Sequence, residues 1–154
     1  MTQRKNPALF AILVGGGVAG SLDITYAILI SAFRGTPPIR LLQSVSTGLL
    51  GPAAYEGGAP TAVLGFLLHF LIAFMMAAAF YLISRKFDFL VRRPVVSGLI
   101  YGAILYPFMT QIVLPLSAYP HPFVFRPLFF AINLFVHMFL VGLPIALATR
   151  KATR

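Results

Sequence analysis

Residues 60 to 84 read PTAVLGFLLHFLIAFMMAAAFYLIS, and this stretch decides the fold class. It contains no Asp, Glu, Lys or Arg, and His69 is its one histidine. A helix rises ~1.5 Å per residue, so a helix of this length exceeds the ~30 Å hydrocarbon core of a bilayer. The stretch therefore predicts a transmembrane helix.

Three more stretches of the chain have the same character, at about residues 7–33, 94–116 and 127–149. Each of the four begins at a proline, which suits the first turn of a helix because the missing N–H has no intrahelical partner there. Hydrophobic residues make up 59% of the chain and charged residues 10%, whereas soluble domains carry about 25% charged residues. We expect residues 1–154 to form a single integral membrane domain, an all-α bundle of four transmembrane helices.

Basic residues flank these spans asymmetrically. One side carries Arg4, Lys5, Arg85, Lys86, Arg92, Arg93, Arg150, Lys151 and Arg154, and the other carries Arg34, Arg40 and Arg126. The positive-inside rule therefore predicts that both termini are cytoplasmic. The net charge of +9 then indicates anionic lipid headgroups at the cytoplasmic face as partners, and no nucleic acid.

The segment at about 38–50, between the first two spans, has helical periodicity of its own. Leu41, Leu42, Val45 and Leu49 recur on one face, while Arg40, Gln43, Ser44 and Thr47 fall largely elsewhere. An amphipathic helix on the membrane surface is one interpretation. The other interpretation is a re-entrant segment, because several glycines follow the helix.

Small residues predict the faces along which the spans pack. Gly16 and Gly20 in the first span, and Gly98 and Gly102 in the third, are each four residues apart and would let another backbone come close. At helical spacing, the first stripe continues to Asp23. We therefore expect Asp23 to face other helices and not lipid.

Each span carries polar side chains at a similar depth, roughly 8–16 Å from one end of its helix. They are Asp23, His69, Gln111, Asn133 and His137. We expect them to form one buried polar layer, with Asp23 and a histidine as its charged or hydrogen-bonded pair. Such a layer serves equally as structural hydrogen bonding between helices or as a functional site, because ionisable residues inside a membrane are costly.

Three functional interpretations of this layer remain open. Asp23 and a histidine could relay protons, His69 and His137 could be axial ligands of haem b, or a cavity could bind a small solute or lipid. The chain contains no cysteine, hence no thiolate metal site, and no hydrolase or phosphate-binding motif occurs. We predict no catalytic residue, and no metal ligand apart from the haem alternative.

The segments GGVAGSLD (16–23), RLLQ (40–43), GLLG (48–51) and GFLLHF (65–70), with His137 and GLP (142–144), resemble small bacterial inner-membrane proteins of the YagU-like type. This resemblance implies a four-helix protein of a Gram-negative inner membrane and brings no established activity. A non-enzymatic accessory subunit of a larger membrane complex or scaffold is the leading hypothesis, with a homo-oligomer as another assembly. Handling of a small solute, proton or lipid through the polar layer is the alternative, followed by haem binding.

Overall fold

A computed structural model describes residues 6–121 and 124–154. The structure is 86% helical, with no strand among the described residues. Four of the described helices are long and apolar enough to cross a membrane: α1 (Pro7–Phe33), α3 (Gly58–Ser84), α5 (Pro94–Leu116) and α6 (Pro127–Thr153). Between α1 and α3 lie α2 (Pro38–Leu50) and a 3-10 helix (Gly51–Tyr55), and a short α4 (Phe89–Arg92) precedes α5. The predicted all-α bundle of four helices is confirmed.

Two helix bounds differ from those predicted. α6 continues four residues past Thr149, to Thr153. α3 begins at Gly58 and not at Pro60. Gly58 has a φ of 59°, in the left-handed region that favours glycine, so this residue turns the chain into α3.

The four long helices contact one another in the order α3, α1, α6, α5, and α2 packs against the first turns of α3. Glycines allow the closest approaches. A Cβ on Gly16 would meet both the ring and the backbone of Phe74, and one on Gly102 would meet the carbonyl of His137. The Gly16/Gly20 stripe therefore lies at the α1–α3 crossing, and the Gly98/Gly102 stripe at the α5–α6 crossing.

The two ends of the bundle differ in packing. We call the end that carries α2 the α2 end, and the end that carries the 85–93 loop and residues 150–154 the basic end. Seven buried apolar residues fill the interior toward the basic end: Ala19, Ala77, Phe80, Leu105, Val141, Ile145 and Ala146. Toward the α2 end the interior contains a cavity.

Large apolar side chains are exposed along all four long helices. Leu13 of α1, Leu71 of α3, Ile104 of α5 and Phe135 of α6 are each more than half exposed. An exposed apolar surface of this extent is unfavourable in water and is what lipid chains solvate. The chain is a multi-pass integral membrane protein.

Candidate functional site

A half-open cavity of about 480 Å³ lies between the four long helices and beneath α2. It separates α3 from α5 in the half of the bundle toward the α2 end. Its walls are largely apolar and include Ile72 and Met76 of α3 and Met109 and Val113 of α5. This volume falls within the ~300–1,000 Å³ that is usual for small-molecule sites.

A hydrogen bond between α3 and α5 closes the cavity toward the basic end. The Tyr101 hydroxyl donates to the Met76 carbonyl at 2.8 Å, and the Tyr101 ring packs edge-on against Phe80 at 5.0 Å. Met76 is the α3 lining residue farthest from the α2 end. The cavity therefore ends where Tyr101 joins the two helices.

Asp23 lines this cavity, one helical turn after Gly20. Its side chain is half-buried and forms no hydrogen bond or ion pair with any residue that the structure describes. No lysine or arginine is among the described lining residues. The carboxylate therefore faces the cavity without a cationic partner, and the expected pairing of Asp23 with a histidine does not form.

His69 joins α3 to α1 at the same level. Its Nε2–H donates to the Gly20 carbonyl at 2.9 Å. A carbonyl oxygen only accepts, so Nε2 carries the proton, and in the neutral imidazole Nδ1 is left with a lone pair. The ring lies edge-on to Phe70 at 5.4 Å and lines the cavity.

His137 lines the opposite wall, on α6. Its Nδ1–H donates to the Asn133 carbonyl at 3.0 Å, so Nε2 is the nitrogen with the lone pair in the neutral ring. The Tyr106 ring packs against the imidazole at 4.9 Å. The two histidines are thus oriented by different nitrogens.

The three ionisable residues lie at the same depth. Asp23 is ten residues from the end of α1 at Phe33, His69 eleven from the start of α3, and His137 ten from the start of α6. At ~1.5 Å per residue each lies roughly 15 Å from the α2 end of its helix, near the middle of a hydrocarbon core ~30 Å thick.

The structure does not bring the other two predicted members of the polar layer into the cavity. Gln111 is exposed on α5. Asn133 is buried but is not a lining residue, and its amide donates to the Phe129 carbonyl at 2.7 Å. The cavity therefore contains Asp23, His69 and His137 without Gln111 and Asn133.

Sequence reasoning missed three polar lining residues, Ser44, Ser117 and Tyr119. α2 brings in Ser44, and the Ala118 N–H donates to the Gly48 carbonyl at 3.0 Å, which holds the 117–119 segment against α2. Burial raises the pKa of Tyr119, and the nearby Tyr55 adds to this rise. The interpretation of residues 38–50 as a re-entrant segment, based on the glycines that follow, could have indicated that α2 lies over the cavity.

No group of three or more His, Cys, Asp or Glu side chains suited to a metal ion occurs among the described residues. Of the two predicted haem ligands, His69 uses Nε2 in its hydrogen bond to Gly20, so Nδ1 is the nitrogen that remains for coordination.

The chain matches no known family model, no curated protein and no solved structure.

Proposed function

We propose that this membrane protein binds a small amphiphile or a lipid in the cavity between α3 and α5. The single observation that carries this proposal is the half-open, largely apolar cavity of about 480 Å³ with polar side chains at one level. An apolar wall with a few convergent polar groups is typical of small-molecule sites. The ligand's tail would lie against Ile72, Met76, Met109 and Val113.

The arrangement of helices supports entry from the membrane. α3 and α5 are joined at Tyr101, and the cavity lies between them on the α2 side of that bond. Because the cavity is half-open and lies between two transmembrane helices, we propose that a ligand's tail extends beyond the protein into lipid. This makes membrane-dissolved molecules better candidates than water-soluble ones.

We also propose that the basic end faces the cytoplasm of a bacterial cell and that the cavity belongs to the outer half of the inner membrane. The distribution of charge supports this orientation. The basic end carries Arg85, Lys86, Arg92, Arg93, Arg150, Lys151 and Arg154, and the α2 end carries Arg34, Arg40 and Arg126. Residues Arg4 and Lys5 lie outside the described part of the chain.

Native mass spectrometry of the purified protein tests the proposal with three ligands that share a dodecyl chain: dodecanol, dodecylamine and dodecanoate. We expect at least one of them to saturate at one molecule per chain. Val113→Phe fills the cavity and should weaken binding about tenfold, equivalent to about 1.4 kcal/mol. The matched control is Ile112→Phe, because Ile112 is 46% exposed and is not a lining residue.

The control variant should bind like the wild type. The proposal would be contradicted if none of the three ligands bound one-to-one, or if the two variants lost the same amount of binding affinity.

Four predictions from the sequence stay predictions: an accessory role in a larger complex, self-association, haem binding and kinship with YagU-like proteins. Proton transfer also stays a prediction, since Asp23 forms no hydrogen bond with either histidine among the described residues.

A further inference from the structure

Two histidines and two serines of the lining share one hydrogen-bonding character, because backbone carbonyls accept their protons. His69 and His137 each donate one N–H to a carbonyl, of Gly20 and Asn133 respectively. In the neutral rings the remaining nitrogens are acceptors. Both imidazoles therefore offer lone pairs to a ligand and not protons.

The two serines of the lining follow the same pattern. The Ser44 hydroxyl donates to the Leu41 carbonyl at 2.6 Å, and the Ser117 hydroxyl donates to the Leu114 carbonyl at 2.7 Å. Ser117 Oγ also accepts from the Tyr119 N–H at 3.2 Å. With their protons committed, these hydroxyls present only lone pairs. Among the described lining residues, Tyr119 at the α2 end has a hydroxyl that remains able to donate.

Asp23 adds a carboxyl group to this set. An ionised carboxylate only accepts hydrogen bonds, and the described lining includes no lysine or arginine to balance it. A charge near the middle of a bilayer is unfavourable unless it is paired, protonated or hydrated. A ligand that fits the cavity in all these respects brings both hydrogen-bond donors and a positive charge.

We infer that the ligand is an amphiphile with a protonated primary amine as its head, bound by the Asp23 carboxylate and the free ring nitrogens of His69 and His137. This inference rests on the proposed function and specifies its ligand class. An ammonium group has three donors and no acceptor, the complement of this acceptor set. The amine can belong to an aminophospholipid headgroup or to a free alkylamine.

The dodecyl ligands separate the inference from the proposed function. At mildly alkaline pH an ordinary imidazole is neutral and a primary amine is still protonated. We expect dodecylamine to bind at least about tenfold more tightly than dodecanoate, with dodecanol between them. Equal binding of all three, or a preference for dodecanoate, overturns the inference and leaves the cavity proposal standing. Absence of binding by all three overturns both.

Variants of Asp23 assign the charge preference to this residue. Asp23→Asn should abolish the preference for the amine while dodecanol binding persists, and Asp23→Glu should retain most of the preference. Asp88→Asn is the matched control, because Asp88 is an exposed carboxylate at the basic end, paired with Arg92 at 3.5 Å. A preference that survives in Asp23→Asn overturns the inference. If Asp23→Asn does not fold, the comparison of the three ligands on the wild type still tests the inference.

Two further ligands test the donor requirement and the source of the amine. Dodecyltrimethylammonium has the charge without N–H groups, so it should bind more weakly than dodecylamine. Equal binding overturns the role assigned to the histidine nitrogens. If the protein retains phosphatidylethanolamine in preference to phosphatidylglycerol with the same chains, the inference is supported and the amine comes from a lipid. If it binds dodecylamine but neither phospholipid, the inference is supported and the amine comes from a free alkylamine. Preferred retention of phosphatidylglycerol overturns it.

Discussion

Single glycines determine how closely the spans of this bundle approach one another. Gly16 and Gly17 are neighbours on α1 with opposite surroundings. A Cβ on Gly16 would lie 2.6 Å from the Phe74 ring and 2.9 Å from the Phe74 backbone, whereas one on Gly17 meets the same ring at 4.0 Å. Ordinary van der Waals contacts between carbons are about 3.5–4.0 Å. The same substitution should therefore have different effects at adjacent positions.

Gly16→Ala should destabilise the protein by about 1–3 kcal/mol, because α1 and α3 must separate to make room for the methyl group. Thermal unfolding in detergent measures the change, with Gly17→Ala as the control that should unfold like the wild type. Equal unfolding temperatures for the two variants would show that the α1–α3 crossing has room for a methyl group at Gly16.

Residue type and depth led from the sequence to Asp23, His69 and His137, which line the cavity. The same reasoning led to Gln111 and Asn133, which do not line it. Asn133 is on the predicted helix, but its amide is taken up by the Phe129 carbonyl one turn earlier. Gln111 lies in a widened turn of α5, Met109–Val113, where counting at 3.6 residues per turn no longer gives the facing direction.

Such widened turns occur in two of the spans, and a proline explains each. In α5 the Leu114 N–H bonds back to Met109 just before Pro115, and in α6 the Leu143 N–H bonds back to Met138 just before Pro144. A proline ring clashes with the carbonyl four residues earlier in a regular α-helix, and a π-turn moves that carbonyl aside. A second proline of α5, Pro107, lies before the widened turn of that helix.

α2 shows a second limit of reasoning from periodicity. Its helical pattern was visible in the sequence, but its polar side chains Gln43, Ser46 and Thr47 are the buried ones. Gln43 donates to the Gly58 carbonyl at 3.0 Å, and Ser46 donates to the Thr61 carbonyl. Those carbonyls belong to the first turn of α3, so the polar face of α2 packs on protein while Leu49 is exposed. A periodic pattern identifies two faces without specifying which one packs on the protein.

The bond between Tyr101 and Met76 makes a prediction about the pairing of α3 and α5. Tyr101→Phe should destabilise the protein by about 0.6 kcal/mol, the average measured for hydrogen bonds between membrane helices, and by no more than about 1.7 kcal/mol, the largest value measured. Unfolding by a denaturing detergent measures this change. Tyr81→Phe is the control, because the described hydrogen bonds of Tyr81 with Ser84 and Arg85 use its backbone carbonyl and not its hydroxyl. Equal stability of the two variants would contradict a structural role for Tyr101 in closing the cavity.

Over the whole molecule, composition and span length predicted the architecture correctly, because a bilayer requires long apolar helices. The cavity was beyond that reasoning. It depends on how α1, α3, α5 and α6 are ordered around the bundle and on α2 covering one end. Those features follow from contacts between distant segments, such as the close approach of Gly65 to the backbone carbonyl of Leu42, which no local pattern in the sequence contains.

The most direct test of the account is to locate a bound amphiphile on the protein. A dodecylamine with a photoreactive group on its chain is bound in a bilayer, activated and mapped residue by residue by mass spectrometry. We predict that cross-links concentrate on the lining residues Ile72, Met76, Met109 and Val113 and are lost on competition with unlabelled dodecylamine. Cross-links spread over the exposed residues Leu71, Met75 and Ile112, unaffected by the competitor, would contradict the claim that this cavity is a binding site.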